Sequence, residues 1–329
     1  MAVKKGRIFS GMRPTGKLHL GNLLGALDNW VKLQDEYECY YAVVDWHALT
    51  TGYEDTSELP GNITDMVLDW LAAGLDPDKS VIFVQSHVKE HAELHLLLSM
   101  VTPLSWLMRN PTYKEQLRQI QGREIHTYGF LGYPVLQAAD ILSYKADTVP
   151  VGEDQLPHVE LSREIARRFN FLYSPVFPEP QAKLNRVALL PGTDGRKMSK
   201  SYGNIISMSA DRDEVDRIVA NMVTDPGRAR RKDPGNPEVC AVYAYQRIFA
   251  EKRVGEIDTA CRAAGIGCVD CKKELSRAIN AYLDPIRERR GELEGRPDHV
   301  KEVLAAGAQK ARRVARETVA EAAGAMRLS

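Results

Sequence analysis

No apolar stretch of this chain is long enough to cross a bilayer; segments such as 81–84 and 94–98 fall far short of the roughly 20 residues a spanning helix needs. A secretory core is missing too. The basic first six residues lead into Ile8 and Phe9 and then at once into turn residues. These absences lead us to expect a soluble, cytoplasmic protein with no membrane partner. Net charge is also absent, since 44 acidic residues balance 44 basic ones, so any contact with RNA must come from a local basic cluster. There is no internal repeat, and the one biased tract is the Ala/Arg/Glu-rich final segment. No Ser-His-Asp or Cys-His set suggests a protein nucleophile. What 329 residues with 44% hydrophobic content do allow is a full-sized core and, at that length, two domains.

The first half alternates short apolar runs with helical periodicity. Residues 7–10, 39–45 and 81–85 read as strands. Leu20, Leu23, Leu24, Leu27 and Val31 share one helical face, and 62–73 reads as an amphipathic helix ended by Gly74. Further helical patterns follow at 91–100, 113–121 and 134–145. Strand and helix in alternation argue for an α/β fold with a doubly wound, Rossmann-like parallel sheet. From about Ser207 the strand signal stops, and helical patterns at 214–222, 239–251, 272–290 and 299–325 surround a Pro/Gly/charge-rich loop at 225–237. The expected division is a catalytic domain at 1–206 and an all-helical domain at 207–329.

Two segments carry nucleotide chemistry. The first strand runs into Ser10-Gly11-Met12-Arg13-Pro14-Thr15-Gly16, and His19-Leu20-Gly21-Asn22 opens the first helix. In a doubly wound fold ligands sit beyond the carboxyl ends of the strands, and a helix start offers free N–H groups to anions. Gly21 lets a nucleotide lie against the backbone, and His19 and Asn22, three apart, can face one ligand. Alone, such a histidine would read as a cap or a surface residue. The second segment is Lys197-Met198-Ser199-Lys200-Ser201, preceded by the turn Pro191-Gly192-Thr193-Asp194-Gly195-Arg196. Two lysines and two serines on a glycine-rich loop can hold the β- and γ-phosphates of ATP as pyrophosphate leaves. A lysine-rich loop is usually just solvated. This five-residue string, paired with the first segment, rarely arises by chance.

Five cysteines are unevenly placed. Cys39 stands alone in an apolar strand and reads as a buried residue. Cys240, Cys261, Cys268 and Cys271 are separated by twenty, six and two residues. In a reducing compartment such crowding suggests metal binding more than disulfides, and four thiolates suit either a zinc tetrahedron or an iron–sulfur cluster; packed free thiols are the plain alternative. The nearby run Arg228, Arg230, Arg231 and Lys232 could meet RNA phosphates, fold over ATP, or simply be a solvated face.

The two nucleotide segments resemble the HIGH and KMSKS signatures of class I aminoacyl-tRNA synthetases. Leu20 and Asn22 depart from the first string as the tryptophanyl and tyrosyl branch often does. The resemblance runs over nearly the whole chain and points to the tryptophanyl-tRNA synthetases, through Val149-Pro150-Val151-Gly152-Glu153-Asp154-Gln155 with His158 and 160–164, and through Tyr133-Pro134-Val135-Leu136-Gln137-Ala138-Ala139-Asp140. It implies ATP with Mg2+, L-tryptophan and tRNA(Trp) as substrates, a homodimer, and tRNA anticodon binding by the helical domain.

By position, the resemblance gives His19, Asn22, Lys197 and Lys200 catalytic roles. It places Arg13, Pro14, Thr15, Gly21, Gly152, Glu153, Asp154, Val187, Met198, Ser199 and Ser201, with those four, around ATP. Phe9, Gly11, His47, Tyr133, Gln137, Val149, Val151 and Gln155 would line the tryptophan pocket, and Asp140 would accept the indole N–H. A carboxylate in an aromatic pocket is costly without a donor, and indole offers only a donor. Gln137 stands where many bacterial relatives have methionine. A subset of the family carries a [4Fe–4S] cluster on a similar cysteine set, so Cys240, Cys261, Cys268 and Cys271 are expected to hold one, with Zn2+ as the alternative. Two rival functions are tyrosine activation, opposed by Gly152-Glu153-Asp154-Gln155, and an idle synthetase-like RNA-binding regulator, opposed by the intact ATP segments and Asp140.

Overall fold

The computed structural model describes residues 4–119, 125–184 and 190–328. The elements, in order, are β1 (Arg7–Met12), α1 (Leu20–Asn22), a π-helical turn (Leu23–Leu27), α2 (Asp28–Glu36), β2 (Glu38–Val43), α3 (Asp45–Gly52), α4 (Leu59–Ala73) and β3 (Ser80–Val84). Then come α5 (Glu90–Val101), α6 (Leu104–Arg109), α7 (Pro111–Gln119), α8 (Tyr128–Ser143), β4 (Thr148–Val151), α9 (Leu156–Leu172) and β5 (Gln181–Leu184). The remainder is α10 (Arg212–Ala220), α11 (Ala241–Phe249), α12 (Val254–Arg262), α13 (Cys268–Glu294) and α14 (Pro297–Ala325), with short 3-10 turns between. Among the described residues no helix is long and apolar enough to cross a membrane.

The five strands form one parallel sheet in the order β3-β2-β1-β4-β5, with Phe9 opposite Tyr40 and Tyr40 opposite Val81. This is the expected doubly wound arrangement. Strand β2 is buried from Cys39 to Val43, as a parallel strand covered on both faces must be. The short strands β4 and β5 carried no recognisable strand pattern: β4 has four residues including Pro150, and every residue of the edge strand β5 is exposed. The expected first helix is interrupted, since α1 ends after three residues and the π turn separates it from α2. Gly74 does end α4, at φ 110°, and its N–H reaches the carbonyls of Trp70 and Leu71.

The chain divides into two compact units. One comprises residues 1–16, 28–186 and 296–329, and the other 17–27 and 187–295. This division does not coincide with a single cut after residue 206. The sheet lies in the first unit, and so does α14, the last helical pattern in the sequence. Ala308, Ala311 and Ala315 of α14 join Phe9, Tyr40 and Phe83 in one buried core. A run of alanines can lie close to a sheet because it brings little bulk. The closest approach is at Gly307, where a Cβ would sit 1.8 Å from the Ile82 carbonyl oxygen of β3. Backbone cannot yield there as a flexible side chain could. Gly307→Ala should therefore cost about 1–3 kcal/mol of stability; an unchanged midpoint in urea would show that α14 does not lie so close to β3.

Candidate active site and cysteine centre

The first unit buries an unusual polar group. Helix α8 is apolar nearly all round, yet carries Asp140 at 1% exposure. Its carboxylate accepts from His47 Nε2 of α3 at 2.9 Å and from Gln85 Nε2, just after β3, at 2.7 and 2.9 Å. It also meets His91 Nδ1 of α5 at 2.5 Å, while His91 Nε2 meets the Tyr144 hydroxyl at 2.5 Å. Burial pushes the Asp140 carboxyl upward, but the hydrogen bonds from His47 and His91 outweigh it and hold the group at about 2. It is ionised at neutral pH. The sequence argument left this carboxylate unpaired until a ligand donor arrives; here three side chains already serve it. Gln85, His91 and Tyr144 were not singled out from sequence, although Gln85 ends an apolar strand on the side where ligands bind.

Aromatic groups surround this centre. Phe9 of β1 stacks on Tyr144 at 5.6 Å with planes 4° apart, and Tyr133 meets His47 edge-on at 6.2 Å. The Tyr133 hydroxyl reaches His158 Nε2 at 3.1 Å. Val149 and Val151 lie in the same buried core as Phe9. Gln137 is half-buried on α8, and Gly11 is exposed near the end of β1. Gln155 is half-buried and donates to Asp154 at 2.8 Å. Arg13 and Thr15 are exposed and Pro14 buried in the segment after β1, and Gly152, Glu153 and Asp154 are exposed just after β4. Strands β1 and β4 are neighbours where the strand order reverses, the place at which doubly wound sheets open a ligand crevice.

The second unit brings the two nucleotide segments together. The Leu20 N–H donates to Ile206 O at 3.0 Å and the Met208 N–H to Leu18 O at 2.9 Å, tying the helix start to the chain that follows the lysine loop. A Cβ on Gly21 would lie 2.9 Å from Met198 Sδ, so its bareness serves contact with this loop. Asn22 Oδ1 accepts from the His19 N–H at 3.1 Å. Burial, with the Lys200 charge, pulls the His19 imidazole down to about 4. Lys197 is exposed, and Met198, Ser199 and Lys200 are half-buried.

Sequence reasoning missed the residue that shapes the lysine loop. Asn204, 2% exposed, accepts from Ser199 N–H at 2.8 Å and donates to Asp194 Oδ1 at 2.8 Å and Lys197 O at 3.1 Å. A Cβ on Gly192 would collide with the Asn204 amide at 2.1 Å. Val187 and the side chain of Ser201 lie outside the described residues.

The four clustered cysteines also meet in the second unit. Cys240 precedes α11, Cys261 lies near the end of α12, and Cys268 and Cys271 occupy the first turn of α13. Burial and the neighbouring Cys240 and Cys268 raise Cys261, with Arg228 opposing; burial, Cys240 and Cys261 push Cys271 up to about 11, with Gln246 opposing. Arg228 Nη1 lies 3.9 Å from Cys261 Sγ and 3.8 Å from Cys268 Sγ, and Gln246 Nε2 lies 3.6 Å from Cys271 Sγ. Yet among the described residues no three His, Cys, Asp or Glu groups converge closely enough for one metal ion. Cys39 is buried in β2, as expected.

A lysine loop that approaches a helix start over a bare glycine, in a chain with a doubly wound parallel sheet, is an arrangement suited to nucleotide-binding catalysis. The chain belongs to the tRNA synthetases class I (W and Y), whose family profile matches residues 2–284. It is 57% identical to the tryptophan–tRNA ligase of Thermotoga maritima over 98% of this chain and 99% of that one. It is 47% identical to that of Aquifex aeolicus, over 98% and 100%. The tryptophanyl-tRNA synthetase of Campylobacter jejuni, solved with ADP and tryptophan, superposes with a TM-score of 0.88 at 35% identity, over 97% of this chain and 99% of that one.

Two imidazoles, one buried and one half-buried, make stability depend on pH. Burial lowers His158 from 6.5 to about 4, as burial and Lys200 do for His19. Between those values the unfolded chain binds protons that the folded chain refuses, so stability falls as pH drops through this window. Melting temperatures should decline steadily from pH 7 to pH 4.5, and a level profile would contradict neutral histidines at both positions.

Proposed function

We propose that the chain is a tryptophan–tRNA ligase that uses Mg·ATP. The observation that carries this reading is the 57% identity, over almost the full length of both chains, to a tryptophan–tRNA ligase. In the first step the tryptophan carboxylate attacks the α-phosphate of ATP; a carboxyl–phosphate bond forms and pyrophosphate leaves. In the second, the 2′-hydroxyl of the terminal adenosine of tRNA(Trp) attacks the activated carbonyl, and AMP departs. No protein nucleophile is needed, and the work is positioning and charge stabilisation.

Lys197 and Lys200 stabilise the leaving pyrophosphate, while neutral His19 and Asn22 hold phosphate oxygens. Arg13, Thr15 and the Gly152–Asp154 turn serve the nucleotide. Asp140 accepts the indole N–H in an aromatic chamber built by Phe9, Tyr133, Val149 and Val151. His47 is the donor at the chamber's edge against Tyr133, so in this reading it shifts to admit the indole. A site lined for a donor rejects side chains lacking one.

Pyrophosphate exchange tests the reading. Exchange should require tryptophan and not respond to tyrosine, and Lys197→Ala should lower it by about 10²–10³-fold. Exchange with tyrosine would favour the tyrosyl enzyme, and no exchange with either would favour an idle RNA-binding relative. Full turnover in the lysine variant would remove Lys197 from the mechanism.

The cysteine set supports an iron–sulfur cluster rather than zinc. A four-iron cluster is the group that a subset of this family carries on a similar cysteine set, and zinc is the alternative for four thiolates. Arg228 and Gln246 supply N–H groups to sulfur, a recognised means of setting cluster properties. Protein purified without oxygen should be brown and hold iron and sulfide in equal amounts, both lost in Cys268→Ser/Cys271→Ser. One zinc per chain would change the cofactor, and a metal-free, fully active protein would reduce the cysteines to packing.

A homodimer completes the proposal. Leu96 and Met100 on α5, Leu104 and Met108 on α6, and Tyr128 at the start of α8 are large apolar side chains left at 54–73% exposure. Covering them with a second copy would remove that apolar surface from water. The helices α10 to α13 of the second unit are assigned to the anticodon.

A further inference from the structure

The charge balance of the chain leaves one strongly basic surface unexplained. Lys310, Arg312, Arg313 and Arg316 fall within seven consecutive residues of α14, with no acidic residue between them. They line a groove of about 700 Å3 with Ala305, Gln309 and His87. Two of the four are anchored. Arg312 donates to the His87 carbonyl and lies 3.8 Å from Glu90, and Arg316 lies 3.6 Å from the same carboxylate. Lys310 and Arg313 are exposed and have no hydrogen-bond or ion-pair partner among the described residues.

A merely solvated helix face would interleave acids with these cations, as α14 does at Asp298, Glu302 and Glu321; here Glu317, which also lines the groove, comes only after the last cation. We propose that this groove on the first unit binds the phosphodiester backbone of the substrate RNA. The helical rise sets Lys310 and Arg316 roughly 9 Å apart, enough to meet two or three phosphates at the ~3.4 Å axial spacing of one nucleic-acid strand. The groove has no Phe, Tyr or Trp to stack on a base, and four of its lining side chains are cations. Its chemistry therefore positions the strand without reading sequence. This inference rests on the tRNA ligase reading for the identity of the RNA. It adds a contact in the sheet-bearing unit to those assigned to the anticodon helices of the other unit.

The test uses the full chain with Lys310→Ala/Arg313→Ala, which removes the two unpaired cations and leaves the anchored arginines in place. Tryptophan-dependent pyrophosphate exchange, which needs no tRNA, should stay within twofold of the parent. The Kd for tRNA(Trp), measured by fluorescence anisotropy at several salt concentrations, should rise about 5- to 50-fold, with the slope of log K against log salt shallower by about 2. Lys310→Arg/Arg313→Lys should keep the parental slope. Unchanged affinity and slope in the alanine variant would overturn the proposal, as would equal weakening by the charge-preserving pair. A parent that binds tRNA but gives no exchange would count against the ligase reading alone, because the binding arm does not depend on it.

Discussion

An ionised carboxylate at 1% exposure can exist in an apolar interior only if the surrounding elements bring donors to it. Asp140 imposes that condition on the first unit. Its partners come from α3, from the turn after β3 and from α5, so three separately folded pieces must meet α8 at hydrogen-bond distance. Removing one partner of such a buried set costs about 3–5 kcal/mol, several times a typical surface pair. The network therefore fixes geometry more than it adds stability. Phe9, Tyr40 and Phe83 pack on Tyr144, whose hydroxyl meets His91, so an aromatic cluster backs the network.

The parts of this chain that were legible from sequence are those in which local pattern and chemistry coincide. Strands β1, β2 and β3 show themselves as apolar runs because a parallel strand is buried on both faces. Strands β4 and β5 do not, since one contains a proline and the other is an exposed edge. The lysine loop and the His19 helix start could be found as strings, but Asn204, which shapes the loop, is one asparagine among many until its three partners are seen. Gln85 and His91 were hidden for the same reason: a single polar residue in an apolar run gives no hint of which distant residue it serves. Periodicity also placed α14 correctly as a helix and gave no information about which unit it joins. That depends on Gly307 and three alanines fitting against β3, which is a property of the partner surface as much as of the helix.

A balanced net charge gives each local group of cations more weight, because no general field blurs them. The groups are handled in different ways. Arg196 is held by Asp194, whose carboxyl lies at about 2 because Asn204 and Arg196 hydrogen-bond it, so this arginine braces the loop and leaves the lysines to act. Arg228, part of a run that could have been an RNA contact, instead turns inward: one side of its guanidinium faces two cysteine sulfurs, and the other donates to the carbonyls of Arg231 and Ile266 at 2.8 Å. Arg230, Arg231 and Lys232 remain exposed beside it. A run of four cations in sequence is thus one structural residue and three surface ones.

The same reasoning separates the cations of α14 from ordinary surface charge. Glu90 engages Arg312 and Arg316 and is itself nearly buried, so it cannot turn outward to neutralise Lys310 and Arg313. If the groove existed only for solubility, substitution of either free cation by a neutral residue would be invisible to every ligand. If it exists for phosphate, the fixed arginines define its wall and the free pair supplies the adjustable charge, which is the division of labour a strand of variable sequence requires. A groove whose excess charge is positive and two of whose cations lack an internal partner suits a polyanion better than a neutral ligand.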